Sequence, residues 1–130
     1  MKNARKVGGK MNCKSEELGF EVVHIGINCP DDLEAKKSAE FFLKFFAFPI
    51  KEGNDSIYAS TFIELMKSTG RGKQGHIAIG TNDIIETQKY LEEQGLEFDS
   101  DSVKYSNEGK PIVIYLKKEI AGFAIHLLQK

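Results

Sequence analysis

The chain has few of the features that place a protein at a glance. It holds two cysteines in 130 residues, Cys13 and Cys29, too few for a disulfide framework, so both read as reduced thiols. No apolar run approaches the ~20 residues of a membrane span. The first residues are basic (Lys2, Arg5, Lys6, Lys10, Lys14), but no signal-peptide core follows, and the expected location is the cytoplasm. Charge is nearly balanced, at −1 with a pI near 6.3, which argues against a nucleic-acid surface. The glycine-containing loop at 68 to 75 lacks the Walker pattern, and no cysteine-rich spacing suggests structural zinc.

Histidine is scarce too, and all three copies fall inside apolar, strand-like runs: His24 in Val22-Val23-His24-Ile25-Gly26-Ile27, His76 in Gly75-His76-Ile77-Ala78-Ile79, and His126 in Phe123-Ala124-Ile125-His126-Leu127-Leu128. Glu64 interrupts a similar run, Phe62-Ile63-Glu64-Leu65-Met66. A period of two gives each strand two faces. One face carries Val23, Ile25, Ile27, Ile63, Leu65, Ile77, Ile79, Ile125 and Leu127, an aliphatic surface suited to packing under helices. The other carries the three histidines and Glu64, with Gly26, Ala78, Gly80 and Ala124 beside them. Small residues beside metal-binding ones leave room for an ion, water or a ligand.

The chain also repeats itself weakly. His24-Ile-Gly-Ile-Asn matches His76-Ile-Ala-Ile-Gly, and Phe62-Ile-Glu-Leu-Met matches Ala124-Ile-His-Leu-Leu. In each half a His-bearing strand leads to an acidic helix start, Asp31-Asp32 or Asp83. The first helix is expected over about Leu33 to Phe46, ended at Phe48-Pro49, with Leu33, Ala35, Ala39, Phe42 and Phe46 as its core stripe, joined by Phe41, Leu43 and Phe45. The second runs from Asp83 to about Gln94, where Gly95 ends it. Short strands and turns fill the rest: Gly53-Asn54-Asp55 as a hairpin turn, Asp99 to Lys110 as a polar stretch, and Lys118 to Gly122 as a turn. Residues 1–19 read as a mobile basic tail, and 20–130 as one domain of two βαβββ modules, about 20–67 and 75–130. The flexible basic loop 68–74 joins them, and its Arg71 and Lys73 could hold an anion.

These segments resemble the vicinal oxygen chelate superfamily, which includes glyoxalase I and bleomycin-resistance proteins. The resemblance rests on His-Ile-Gly-Ile (24 to 27), Ile-Glu-Leu-Met (63 to 66), Gly-His-Ile-Ala-Ile (75 to 79) and Gly-Phe-Ala-Ile-His-Leu-Leu-Gln (122 to 129). It implies an α+β fold in which two βαβββ modules form a cup-shaped, partly open mixed β-sheet barrel around one divalent metal, and a homodimer. His24, Glu64 and His76 match the family's first three ligand positions; His126 stands where many members have glutamate. The Lys67 to Lys73 and Tyr115 to Ile120 segments are also similar to a domain appended to some bacterial aldolases for 2-dehydro-3-deoxy-phosphogluconate and 4-hydroxy-2-oxoglutarate. The aldolase barrel and its Schiff-base lysine are absent from this sequence.

Three imidazoles and a carboxylate suit Ni, Zn, Fe, Co or Mn. Such an ion could take two neighbouring oxygens of an anionic 2-oxo acid or sugar acid and lower the pKa of the adjacent proton, giving isomerase or lyase chemistry. The candidate base is Glu64, if it leaves the ion, or a metal-bound hydroxide; Arg71, Lys73 and Tyr105 are candidates for holding the substrate. Two alternatives stand beside this: a non-catalytic ligand-binding or aldolase-accessory module, and a structural dimerisation domain with internally hydrogen-bonded histidines.

Overall fold

The computed structural model describes residues 13–130. Helix α1 (Cys13–Leu18) leads to β1 (Glu21–Asn28), α2 (Asp32–Phe46), β2 (Ile50–Glu52), β3 (Ser56–Ala59) and β4 (Ile63–Met66). Then follow β5 (Gly75–Thr81), α3 (Ile84–Glu93), β6 (Phe98–Tyr105), β7 (Pro111–Ile120) and β8 (Phe123–Gln129). This is βαβββ twice. All eight strands form one open mixed sheet in the order β2-β3-β4-β1-β5-β8-β7-β6. Within each module the first strand lies parallel to the last, β1 on β4 and β5 on β8, and the modules join along the antiparallel pair β1–β5. No helix among the described residues is long and apolar enough to cross a membrane.

The helices start where the sequence places them. Asp31 Oδ1 accepts from the Glu34 amide at 2.9 Å, and Asp83 Oδ1 from the Glu86 amide at 3.0 Å; each caps an amide with no partner inside its helix. Helix α2 ends at Ala47 in the left-handed conformation, just before Phe48-Pro49. Beneath α2, the core consists of Cys29, Ala35, Ala39, Ile57, Ala59 and Leu65. Beneath α3 lie Ile84, Phe98, Ile114 and Leu127.

Several expectations are corrected. The tail proposed for 1–19 is structured over 13–19: α1 packs on the second module with Leu18 buried, its carbonyl accepting from Thr81 Oγ1 (2.9 Å) and the Asn82 amide (2.8 Å). Residues 1–12 lie outside the described part. The stripe on α2 is narrower than predicted. Ala35 and Ala39 are buried and Phe42 partly so, but Leu33, Phe41, Leu43, Phe45 and Phe46 are exposed. The two alanines let the helix sit close on short strands, and the flanking phenylalanines pack on one another and on Phe42 and Phe48 at the rim of the core. The polar stretch after Phe98 is an eight-residue edge strand. Its ladder with β7 is interrupted between Asp99 and Lys104, where Ser102 Oγ takes the Tyr115 amide at 2.9 Å. Strand β7 runs on to Ile120, and the turn is only Ala121-Gly122, both at positive φ (53° and 83°), the two-residue hairpin geometry that follows sheet twist.

Candidate metal centre

Strand register brings the polar residues together in two adjacent rows on one face. The first row reads Lys51, Tyr58, Glu64, Gly26, His76, Ala124 across β2, β3, β4, β1, β5 and β8. The second reads His24, Ala78, His126, Tyr115, Asp99 across β1, β5, β8, β7 and β6. A small residue separates each pair of polar side chains near the centre: Gly26 between Glu64 and His76, Ala78 between His24 and His126. Diagonal neighbours ~7–8 Å apart along the sheet are within reach of long side chains, so the rings lean over the small residues and converge. Gly26 is required for this. A Cβ there would stand 2.1 Å from His76 Cε1 and 2.6 Å from its Nε2.

A bulge in β1 aims His24. Val22 pairs with Ile79 and His24 with Ala78, so Val23 is an extra residue. The uniform two-residue period read from the sequence breaks here, and Val22 shares a face with Ile79 instead of with His24. Bulges re-aim side chains in this way next to sites.

The donor atoms are close. Nε2 of His24 and Nε2 of His76 are 3.2 Å apart, and Glu64 Oε1 lies 3.2 Å from the first and 3.1 Å from the second. One ring nitrogen from each of His24, His76 and His126 lies within 4.8 Å of the others. Ligands at roughly 2.0–2.2 Å from one ion stand about 3 Å apart when adjacent, so this spacing fits a metal.

Surrounding groups fix the orientation of the four residues. Ser56 Oγ donates to Glu64 Oε2 at 2.7 Å. Tyr58 Oη lies 3.5 Å from His24 Nδ1. His126 Nδ1 lies 3.0 Å from the Leu127 carbonyl, so this nitrogen carries the proton and Nε2 keeps its lone pair, the tautomer a metal needs. Burial alone would raise the Glu64 pKa, but hydrogen bonds from His24, His76 and Ser56 outweigh it and hold the carboxyl well below the usual range. Burial pushes His126 down to about 4, so it is neutral at pH 7. Burial, then the Glu64 charge, push Tyr58 up to about 12, so its hydroxyl keeps its proton to donate.

The remaining candidates are distributed unevenly. Arg71 is at the site's edge: its guanidinium stacks on the Tyr115 ring (4.7 Å), which packs against the His126 ring (4.8 Å), and it pairs with Asp99 at 3.1 Å. The loop carrying it is tied down, since Asn28 Nδ2 donates to the Gly72 carbonyl (2.9 Å) and the Gln74 amide to the Gly122 carbonyl (2.7 Å). That corrects the flexible linker read from its glycines. Lys73 is exposed, with its amide turned to Glu119 Oε1 at 3.4 Å. Tyr105 is not at the site. It stands 62% exposed beside α3 with Ile84, Ile85 and Gln88, on the opposite face of the sheet from His126. Ser56 and Asp99 were not singled out in the sequence, because only the strand register shows that they neighbour Glu64 and Arg71.

No protein-family model and no curated protein sequence matches the chain. Among solved structures it resembles methylmalonyl-CoA epimerase, and the fold is the glyoxalase-like one. A methylmalonyl-CoA epimerase in complex with methylmalonyl-CoA and ammonium is 19% identical at a TM-score of 0.60, over 85% of this chain and 94% of that one. A hypothetical protein from Bacillus halodurans is 21% identical at 0.62, over 86% and 95%. The epimerase from Mycobacterium tuberculosis is 18% identical at 0.59, over 87% and 89%. At these identities the likeness is one of fold.

Proposed function

We propose that the protein binds one divalent ion (Ni, Zn, Fe, Co or Mn) through His24, Glu64, His76 and His126, and through it a small acid with two neighbouring oxygens. The observation that carries this reading is the 3.1–3.2 Å triangle of His24 Nε2, His76 Nε2 and Glu64 Oε1 beside a neutral His126. The bound ion would supply Lewis acidity, polarising the substrate oxygens and acidifying the adjacent C–H. Tyr58 and Ser56 hold His24 and Glu64 in place, and Arg71, fixed over Tyr115, supplies positive charge for a carboxylate. Glu64 is the proposed proton acceptor. With the ion bound, the Nε2 atoms of His24 and His76 would face it, and Glu64 would take the proton once released from the ion. Methylmalonyl-CoA epimerases share the fold, and a 2-oxo acid or sugar acid is the substrate class we assign.

The placement of Glu64 Oε1 3.1–3.2 Å from both histidine nitrogens, as a ligand rather than a free base, also favours a second reading, a ligand-binding or aldolase-accessory module without turnover. Elemental analysis of untagged protein tests the shared premise. Near one equivalent of a transition metal is expected in the wild type and none in a His76→Ala/His126→Ala double variant. No metal after incubation with each of the five ions would leave a binding or structural domain. Deuterium exchange into 2-oxobutyrate, followed by NMR on metal-loaded protein, then separates turnover from binding.

The proposed homodimer is supported by apolar residues on the helix side of the sheet: Ile25 is 40% exposed, Phe41 51% and Phe45 62%, more than scattered surface residues require. Light scattering should give a mass near twice 14.6 kDa; a monomer at micromolar concentration would remove this part of the proposal.

A further inference from the structure

At the β2–β3 edge of the sheet lies a cleft of about 590 Å³, lined by Pro49, Ile50, Lys51, Tyr58, Ser60 and Thr61, of which Lys51 and Tyr58 belong to the row of Glu64 and His76. A pyruvate-sized head at the ion does not need it. The volume lies in the range that holds drug-sized ligands, ~300–1,000 Å³. Its surface is mainly apolar, with the Pro49 ring, the Tyr58 ring and the methylene stem of Lys51 along it; Ile50, whose ladder partner Ala59 is buried beneath α2, stands at its end.

The cleft and the metal centre share a wall. Tyr58 turns its hydroxyl to His24 Nδ1 at 3.5 Å and lines the cleft. Lys51 is its partner across the β2–β3 ladder, in the same row as Glu64 and His76. Tyr58 therefore borders both the histidines and the cleft, and a molecule whose oxygens sit at the histidines would reach the cleft alongside its ring. The backbone of the cleft floor is also held. The Ser60 amide donates to the Pro49 carbonyl at 2.9 Å, and Ser60 itself has a φ of 62°.

We infer that the substrate of this site carries an apolar arm, alkyl or aryl, that lies in the cleft beyond Tyr58 while its oxygen-bearing head occupies the metal centre. This deepens the proposed function and rests on it for the position of the head. It selects, within that class, a 2-oxo acid with a long or aromatic side chain over a sugar acid, whose hydroxyls would give up water against a mainly apolar surface.

The test is a chain-length series. Pyruvate, 2-oxobutyrate, 2-oxohexanoate and 2-oxooctanoate are titrated calorimetrically into cobalt-loaded protein, and the cobalt absorption spectrum is recorded in the same samples. Affinity is expected to rise up to about fourfold per added methylene, the effect of burying one CH2. Thr61→Trp fills the cleft and should flatten the series; Thr61→Leu takes its place if the larger ring prevents folding, which circular dichroism reports. A series that rises in the wild type and flattens in the folded variant supports the cleft as the arm's site. An affinity independent of chain length, or a rise that the folded variant retains, overturns it. The cobalt spectrum reports the head separately, so loss of the metal reading and loss of the cleft reading are distinguishable.

Discussion

Gly26→Ala is expected to abolish tight metal binding while leaving the fold nearly as stable as before. The two effects separate for a geometric reason. Gly26 is not among the residues with positive φ, so alanine can adopt its backbone without strain. What the new methyl meets is the His76 imidazole, at 2.1 Å from Cε1, 2.4 Å from Nδ1 and 2.6 Å from Nε2. These are far-end atoms of a side chain that can turn about two bonds, so the ring gives way and the ladder stays. His76 Nε2 then leaves its positions 3.2 Å from His24 and 3.1 Å from Glu64. A displaced ligand should cost more than the 10- to 100-fold typical of outer-shell changes, so about 100-fold or more in affinity is expected. Competition against a chromophoric chelator measures it, with thermal unfolding as the control. Wild-type affinity in the variant would show that His76 is not a ligand. Loss of both affinity and stability would show that the ring cannot yield, and that the site is part of the core.

That outcome bears on how much of the site the sequence could carry. His24, Glu64, His76 and His126 share a face because a two-residue period needs only short, regular strands, and β4, β5 and β8 are regular through their polar residues. The helix ends are legible for a similar reason: an aspartate before each helix and a break after it are local signals. Other features depend on partners far along the chain. The Val23 bulge exists only through pairing with β5. Strand β6 reads as polar because it is the sheet's outer strand, and Ser102 rather than a backbone carbonyl receives the Tyr115 amide. The phenylalanines of α2 have the spacing of a core stripe, but sequence spacing does not say how wide a sheet lies beneath a helix. Tyr105 was grouped with the substrate-holding residues by chemistry alone, and the irregular register of β6 leaves it beside α3.

Gly75→Ala should produce the opposite lesion, a failure of the fold that takes the site with it. Gly75 has φ 150°, in a region that glycine alone enters readily. A Cβ built there would lie 1.9 Å from the Gly26 carbonyl oxygen, 2.8 Å from its carbon and 3.1 Å from Ile27 Cα. All three are backbone atoms of β1, fixed by the ladders to β4 on one side and β5 on the other. No side chain can turn aside, so the strands must part. We expect a loss of at least about 4 kcal/mol, at the extreme end for a single substitution, read as a shift in urea midpoint or as failure to purify folded protein. Gly109→Ala is the control, because it also carries a positive φ (82°) but has nothing within 4 Å of its added methyl; it should lose only about 1 kcal/mol. A Gly75→Ala chain within 1 kcal/mol of wild type, in the sense of that same control, would mean the modules are not locked where β1 meets β5. The consequence for function follows from position. Gly75 adjoins His76, and the β1–β5 pair it clamps carries His24 and His76, whose nitrogens stand 3.2 Å apart. The β1–β5 ladder, which closes only because Gly75 lacks a side chain, therefore joins the two halves of the repeat and sets the spacing of two of the proposed ligands.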